Sequence, residues 1–285
     1  MMTRSSIAVI LVAASLQFSL PAVAAPSPKD ATALLSSLKS DEERYSKCMS
    51  LAEQSPDAGI NMALVWQGQG GGVPARHCEA IGLFHEGEYG EAAARLMLIA
   101  EDMRTGKDMP VQDDKRVVAD ASMLADMYDQ AANAWLLAKE TMRAENAIDM
   151  ALAVVEKGTS QQQELKIDRA RIAAADHDYD LALRDLRDVQ KADPGRDDIL
   201  ILIASAARGL GKYDQAKVAL DNYMKTHPDN STAYLEKGNL AYALGDKDGA
   251  RQAWVKVLLL TQKGPDAKAA RDNIEKMDLE VKPGK

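Results

Sequence analysis

Apolar residues in the middle of this chain return at helical rather than strand-like intervals. Val118, Met123, Met127, Ala131, Trp135 and Ala138 recur at spacings of three to five, which predicts one long amphipathic helix from about Lys115 to Glu140. Near the carboxyl end, Ala267, Ala270, Ile274 and Met277 fall on one helical face and Lys268, Arg271, Asp272 and Glu275 on the other. Gly264-Pro265 starts that helix, and its two unlike faces suit a terminal cap. Boundary signals mark further helices upstream. Ser40 with Glu43 makes a capping box, and Ser55-Pro56 ends one helix and opens the next. Four glycines between Gly68 and Gly72 then break the chain. Residues 25–39, rich in Pro, Ser and Lys, read as a flexible leader.

The chain also resembles itself. Leu210-Gly211-Lys212-Tyr213-Asp214-Gln215-Ala216 matches Leu244-Gly245-Asp246-Lys247-Asp248-Gly249-Ala250, with Gly and Ala each displaced by 34 residues. Ala182, after Asp178-Tyr179-Asp180, lies another 34 residues back, and Ala147 lies 35 before that. Glu86-Gly87-Glu88-Tyr89-Gly90-Glu91-Ala92 repeats the signature out of phase, and Pro194 and Pro228 stand 34 apart. This resembles the tetratricopeptide repeat family, whose unit is a 34-residue helix-turn-helix. Ala204, Gly211, Tyr213, Ala216, Leu220 and Pro228 meet its pattern in a unit at 197–230. Gly238, Gly245, Ala250 and Trp254 do so at 231–262, with Lys247 in place of the usual Tyr. Ala170, Tyr179, Ala182, Leu186 and Pro194 do so at 163–196, where His177 replaces a turn Gly.

The resemblance implies an all-α, right-handed α-solenoid. Its parts would be amino-terminal hairpins at 40–110 with one repeat-like unit at 73–106, an irregular long-helix hairpin at 111–158, three regular units over 163–262, and a capping helix and tail at 263–285. First helices of such units line an inner groove. The positions that commonly touch ligands in the family fall here on Ile167, Arg171, Ile201, Ser205, Arg208, Leu235, Asn239 and Tyr242. Arg171 and Arg208 could fork onto carboxylates, or simply solvate an exposed helix face. One subgroup clamps a terminal carboxylate with Lys and Asn; this chain has Ile167 and Arg171 there, so that ligand does not carry over.

Composition agrees with helices and narrows the partners. Of 285 residues 46% are hydrophobic and 27% charged, but only 5% are aromatic, a mixture that favours helix over strand. The net charge of −8 and the lack of a long basic stripe argue against nucleic acid and against an anionic membrane surface. Residues 1–24 have the form of a secretory signal: Arg4, an apolar run from Ile7 to Leu20, then Ala22-Val23-Ala24 before a predicted cut. An uncleaved anchor is the rival, although the run is short for a span and Pro21 ends it. No later stretch is long and apolar enough to cross a bilayer. Cys48 and Cys78, the two cysteines, predict a disulfide in an oxidising compartment, with a redox or catalytic thiol as the other reading.

Catalytic, metal and cofactor signatures are missing. His77 and His85 lie eight residues apart, too far to chelate from one helix as i, i+4 partners do, and no H-E-x-x-H occurs. His85, Glu86 and Glu88 read as turn residues, and the glycine run has no preceding strand and no following Lys-Ser/Thr. Asp113-Asp114 and Asp197-Asp198 read as helix-start acids rather than a catalytic pair. The expected function is a periplasmic or secreted adaptor that binds a protein or peptide in its groove, without cofactor or enzyme activity. A self-associating structural protein and an accessory factor of an envelope enzyme are the alternatives.

Overall fold

A computed structural model describes residues 28–112 and 114–280; the expected signal segment and its cut lie outside the described residues. The architecture is all-α, a row of antiparallel helix pairs. Helix α1 (Pro28–Ser37) precedes the pairs α2 (Asp41–Gln54) with α3 (Pro56–Gly68), and α4 (Gly72–Glu86) with α5 (Tyr89–Thr105). Next come α6 (Ala121–Leu137) with α7 (Thr141–Val154), and α8 (Ser160–Ala175) with α9 (Tyr179–Ala192). The row ends with α10 (Leu200–Gly209) and α11 (Tyr213–Thr226), α12 (Ser231–Ala243) and α13 (Lys247–Leu260), and the capping helix α14 (Pro265–Glu280). From α2 onward each helix packs on its sequence neighbours, α1 packs on α3, and α2 with α4, α6 with α8, α10 with α12 and α12 with α14 also touch.

One local geometry sets every regular turn. Gly87, Lys139, His177, Gly211 and Gly245 all adopt left-handed backbone, with φ of 90°, 63°, 66°, 70° and 82°. In each case the second helix begins two residues later. Glycine meets no Cβ clash there, whereas Lys139 and His177 hold a conformation costly for an L-residue. Five residues after each left-handed position stands an alanine: Ala92, Ala144, Ala182, Ala216 and Ala250, all fully buried. The structure therefore puts Ala144, not Ala147, in register with Ala182, and this unit is lengthened to 38 residues. Gly238 shows the same closeness on a first helix: a Cβ there would come within 2.4 Å of the Trp254 indole.

Two amino-terminal expectations are corrected. Residues 28–37 form a helix rather than a loose leader, because Ala31 and Leu35 bury themselves with Trp66 and Met62 in the first core cluster. The long helix expected from Lys115 begins instead at Ala121. Its start is fixed by Asp120, whose carboxylate accepts from the Met123 N–H at 2.8 Å. Before it lies a two-stranded hairpin, β1 (Val111–Gln112) and β2 (Lys115–Arg116), turned at Asp114 with φ 62°. Val118 consequently stands 81% exposed instead of in the buried stripe, and Asp114 is a turn residue rather than a helix-start acid.

The capping box is also shifted by one residue. Ser40 accepts from the Glu43 N–H, but the Glu43 carboxylate reaches the Lys39 N–H at 2.7 Å. Cys48 on α2 and Cys78 on α4 are joined, closing the predicted 30-residue loop over the α3 backbone at Gly59. No helix among the described residues is long and apolar enough to cross a membrane.

Two outcomes follow for stability. Lys139→Gly relieves left-handed strain at an exposed position and should raise the unfolding free energy by about 1 kcal/mol, read as a higher urea midpoint; a lowered midpoint contradicts the turn geometry. Replacing Cys48 and Cys78 together by Ser should cost about 3.5 kcal/mol from loop entropy, read as a drop in urea midpoint that dithiothreitol reproduces in the unmodified chain.

Candidate functional site

Polar side chains link one first helix to the next along nearly the whole row. At its amino end the Tyr45 hydroxyl of α2 lies 2.6 Å from Nδ1 of His77 on α4. His77 Nε2 lies 2.7 Å from Oε1 of Gln130 on α6. An amide oxygen accepts, so Nε2 carries the proton and Nδ1 accepts from the tyrosine, a neutral imidazole with both nitrogens satisfied. Burial lowers the His77 pKa and raises that of Tyr45, which holds both groups in those roles.

Between α6 and α8 the contacts turn acidic. Gln161 donates to the Asp126 carboxylate at 2.6 Å and to the Ser122 carbonyl at 2.9 Å. Asp129 faces Asp168 and shares a hydrogen bond with it; its pKa is pushed up to about 7. Burial is the main cause, followed by the charges of Asp168 and Asp126, with Arg171 opposing. Asn133 donates to Asp129 at 3.2 Å. Asp129 is therefore the carboxyl that keeps a proton here, held against Asp168 by that hydrogen bond.

Towards the carboxyl end the links are complete in themselves. Arg196, ahead of α10, joins Glu164 of α8 at 2.6 Å and Asp198 at 2.7 Å. Arg208 of α10 forks onto Glu236 of α12, with contacts of 2.6 and 3.2 Å, and Glu236 is buried. The Asn239 oxygen accepts from Trp254 at 3.1 Å and from Asn273 of α14 at 3.0 Å. Asp266 of α14 accepts from Ser231 and Thr232 of α12.

Several predicted groove residues have other duties. Ile167 is 1% exposed and packs in the core with Leu186, Ile199 and Ile203, so it is no contact residue. The fork of Arg208 is filled by Glu236, which removes it as a carboxylate receptor for a ligand. Arg171 is half-exposed but tied to Asp168. Ile201, Ser205, Leu235, Asn239 and Tyr242 all remain partly exposed on first helices. Tyr45, His77, Asp126, Asp129, Gln130 and Asp168 were not foreseen as a group. Their signal was the polar stripe Asp126, Asp129, Asn133 on an otherwise apolar helix.

Among the described residues, no group of three or more His, Cys, Asp or Glu is placed to hold a metal ion. His85 lies in the last turn of α4, and Glu86, which ends it, meets Asp57 rather than a cation site; their shared hydrogen bond raises the Glu86 pKa.

The match to known sequences falls on the last regular pairs: residues 201–268 fit the tetratricopeptide repeat model. That segment, within α10 to α14, is where the sequence is similar to tetratricopeptide repeats. No curated protein matches the sequence. Among solved structures, a tetratricopeptide repeat protein from Parabacteroides merdae superposes with a TM-score of 0.60 at 12% identity, covering 87% of this chain and 90% of its own. Pseudomonas aeruginosa pilF superposes with a TM-score of 0.55 at 11% identity, covering 85% of this chain and 100% of its own. At such identities the likeness is one of fold, and it extends the tetratricopeptide architecture beyond the matched segment. Stacked helical repeats of this kind present extended surfaces for other proteins.

The carboxyl pair gives a pH prediction. Between the unfolded value of 3.8 and about 7 the native Asp129 keeps a proton that the unfolded chain has released. Its contribution to stability is thus largest below pH 4 and is lost as pH rises through 7. Asp129→Asn should gain stability relative to the unmodified chain between pH 4.5 and pH 8 in urea titrations; a constant difference between the two would refute the pair.

Proposed function

We propose that this chain is an exported, non-catalytic scaffold that holds a partner protein or peptide on the face lined by its first helices. The observation that carries the reading is the frame of inter-helix polar links from Tyr45 on α2 to Asn273 on α14. A frame so tied needs little ordering on binding, which lowers the entropy cost of capturing an extended segment. Ile201, Ser205, Leu235 and Tyr242 supply partly exposed contact area on it.

Export is supported by the signal-like segment at 1–24 and by the Cys48–Cys78 bridge, a linkage favoured outside reducing compartments. The family resemblance and the absence of a transmembrane helix among the described residues fit an adaptor working in the cell envelope or beyond it. Self-association is the second reading. It draws on Leu259 and Leu279, which expose 77% and 63% of their surface on the last two helices.

Site-specific photo-crosslinking in intact cells separates these readings. A crosslinker at Ser205, on a first helix, should capture a distinct partner, whereas one at Val218 on α11 should not. Equal capture from both positions, or capture from Val218 alone, would overturn the assignment. Crosslinks only to a second copy of the chain would favour self-association.

A further inference from the structure

Where α2, α4 and α6 meet the β-hairpin, the row opens into a cavity of about 330 Å³. Four methionines, Met103, Met109, Met123 and Met127, form much of its wall, and His77 and Gln130 line its polar side. That volume is at the small end of binding pockets, about 300–1,000 Å³. Met109, Pro110 and Val117, which flank the hairpin in the α5–α6 connection, form one side of it.

Three features define what would fit. The polar groups lining it are spoken for: Tyr45, His77 and Gln130 bond to one another, so these walls ask for no donor or acceptor from a guest. Methionine walls adapt to different apolar shapes. Beside the cavity the chain leaves apolar surface in water, with Val118 81% and Met123 40% exposed, a cost removed when something apolar covers them.

Charge selects the flank. Asp126 borders the cavity itself, and Asp129 and Asp168 lie beyond it along α6 and α8. Arg171 on α8 answers this group but is itself engaged with Asp168. Asp126 accepts a neutral amide, from Gln161. A cation arriving at the cavity rim would meet the Asp126 carboxylate, whose hydrogen-bond partner Gln161 is neutral.

We infer that this methionine-walled cavity is a peptide-specificity pocket, taking a large apolar side chain of a partner segment whose nearby Lys or Arg rests on Asp126. This deepens the scaffold reading and rests on it. It places the first point of recognition in the irregular α4–α6 region, not in the regular repeats, whose Arg208 is internally paired.

Panning a random dodecapeptide phage library on the full disulfide-bonded chain tests the pocket. The expected enrichment is a large apolar residue with Lys or Arg within three positions. A labelled peptide from that pool should lose at least ten-fold in affinity to Met123→Lys and several-fold to Asp126→Asn, with the unfolding curve of each variant confirming its fold. It should also weaken as salt rises. Lack of enrichment, acidic winners, or unchanged binding to Met123→Lys would overturn the pocket. Peptides blocked by Ser205→Trp but indifferent to Met123→Lys would sink the pocket and leave the scaffold reading standing. So would failed panning alongside productive crosslinking at Ser205, whereas failure of both removes both. Native mass spectrometry that finds a small apolar molecule bound and displaced by Met123→Lys would also overturn the peptide assignment, as would a dimer abolished by that substitution.

Discussion

A pair of antiparallel helices has two apolar faces and can bury only one within itself, so the structure depends on close lateral contact between neighbouring pairs. The alanines at 92, 144, 182, 216 and 250 make that contact possible. Each is fully buried near the start of a second helix. A larger side chain at any of them would push helices apart and strain the packing on both sides. The left-handed residue five positions earlier aims the second helix so that the alanine meets its neighbour. Turn and contact are one device, repeated.

This device was plain in the sequence wherever glycine or a 34-residue spacing announced it. His177 stands where glycine was expected and still adopts the left-handed turn at φ 66°, so the fold imposes the conformation on an unfavourable residue. Lys139 does likewise without the spacing signal, which is why Ala147 rather than Ala144 looked equivalent. Helix periodicity misled at 115–120, since an apolar residue at Val118 continues the stripe by chance while the Asp120 N-cap delays the start of the helix to Ala121. At α1 a polar composition concealed Ala31 and Leu35, two buried contacts that suffice to dock ten residues.

The polar links were hidden for a different reason. A pair such as Asp129 and Asp168, or Arg208 and Glu236, is decided by which first helices become neighbours, information that lies in the stacking rather than in any local window. Sequence did place Arg208 on the first-helix face. It could not show that Glu236, 28 residues on, would occupy its guanidinium. Burying a charge pair costs desolvation that its attraction only partly offsets. We therefore regard such pairs as fixing how adjacent units are rotated rather than as large sources of stability.

The links differ along the row, and the difference has a functional direction. From α10 to α14 every linking group described above is answered by another group of the chain, as in Arg208 with Glu236 and Asn239 with Trp254 and Asn273. Those linking groups are therefore engaged within the chain. From α2 to α8 the arrangement differs: Arg171 pairs with Asp168, Asp129 holds a proton against it, and Asp126 at the rim of the apolar cavity is met only by the neutral Gln161. Binding energy is gained most readily where groups are poorly satisfied before the partner arrives. On the proposed reading the regular repeats act as a rigid extension of the surface, and selectivity falls to the unit that departs from the repeat.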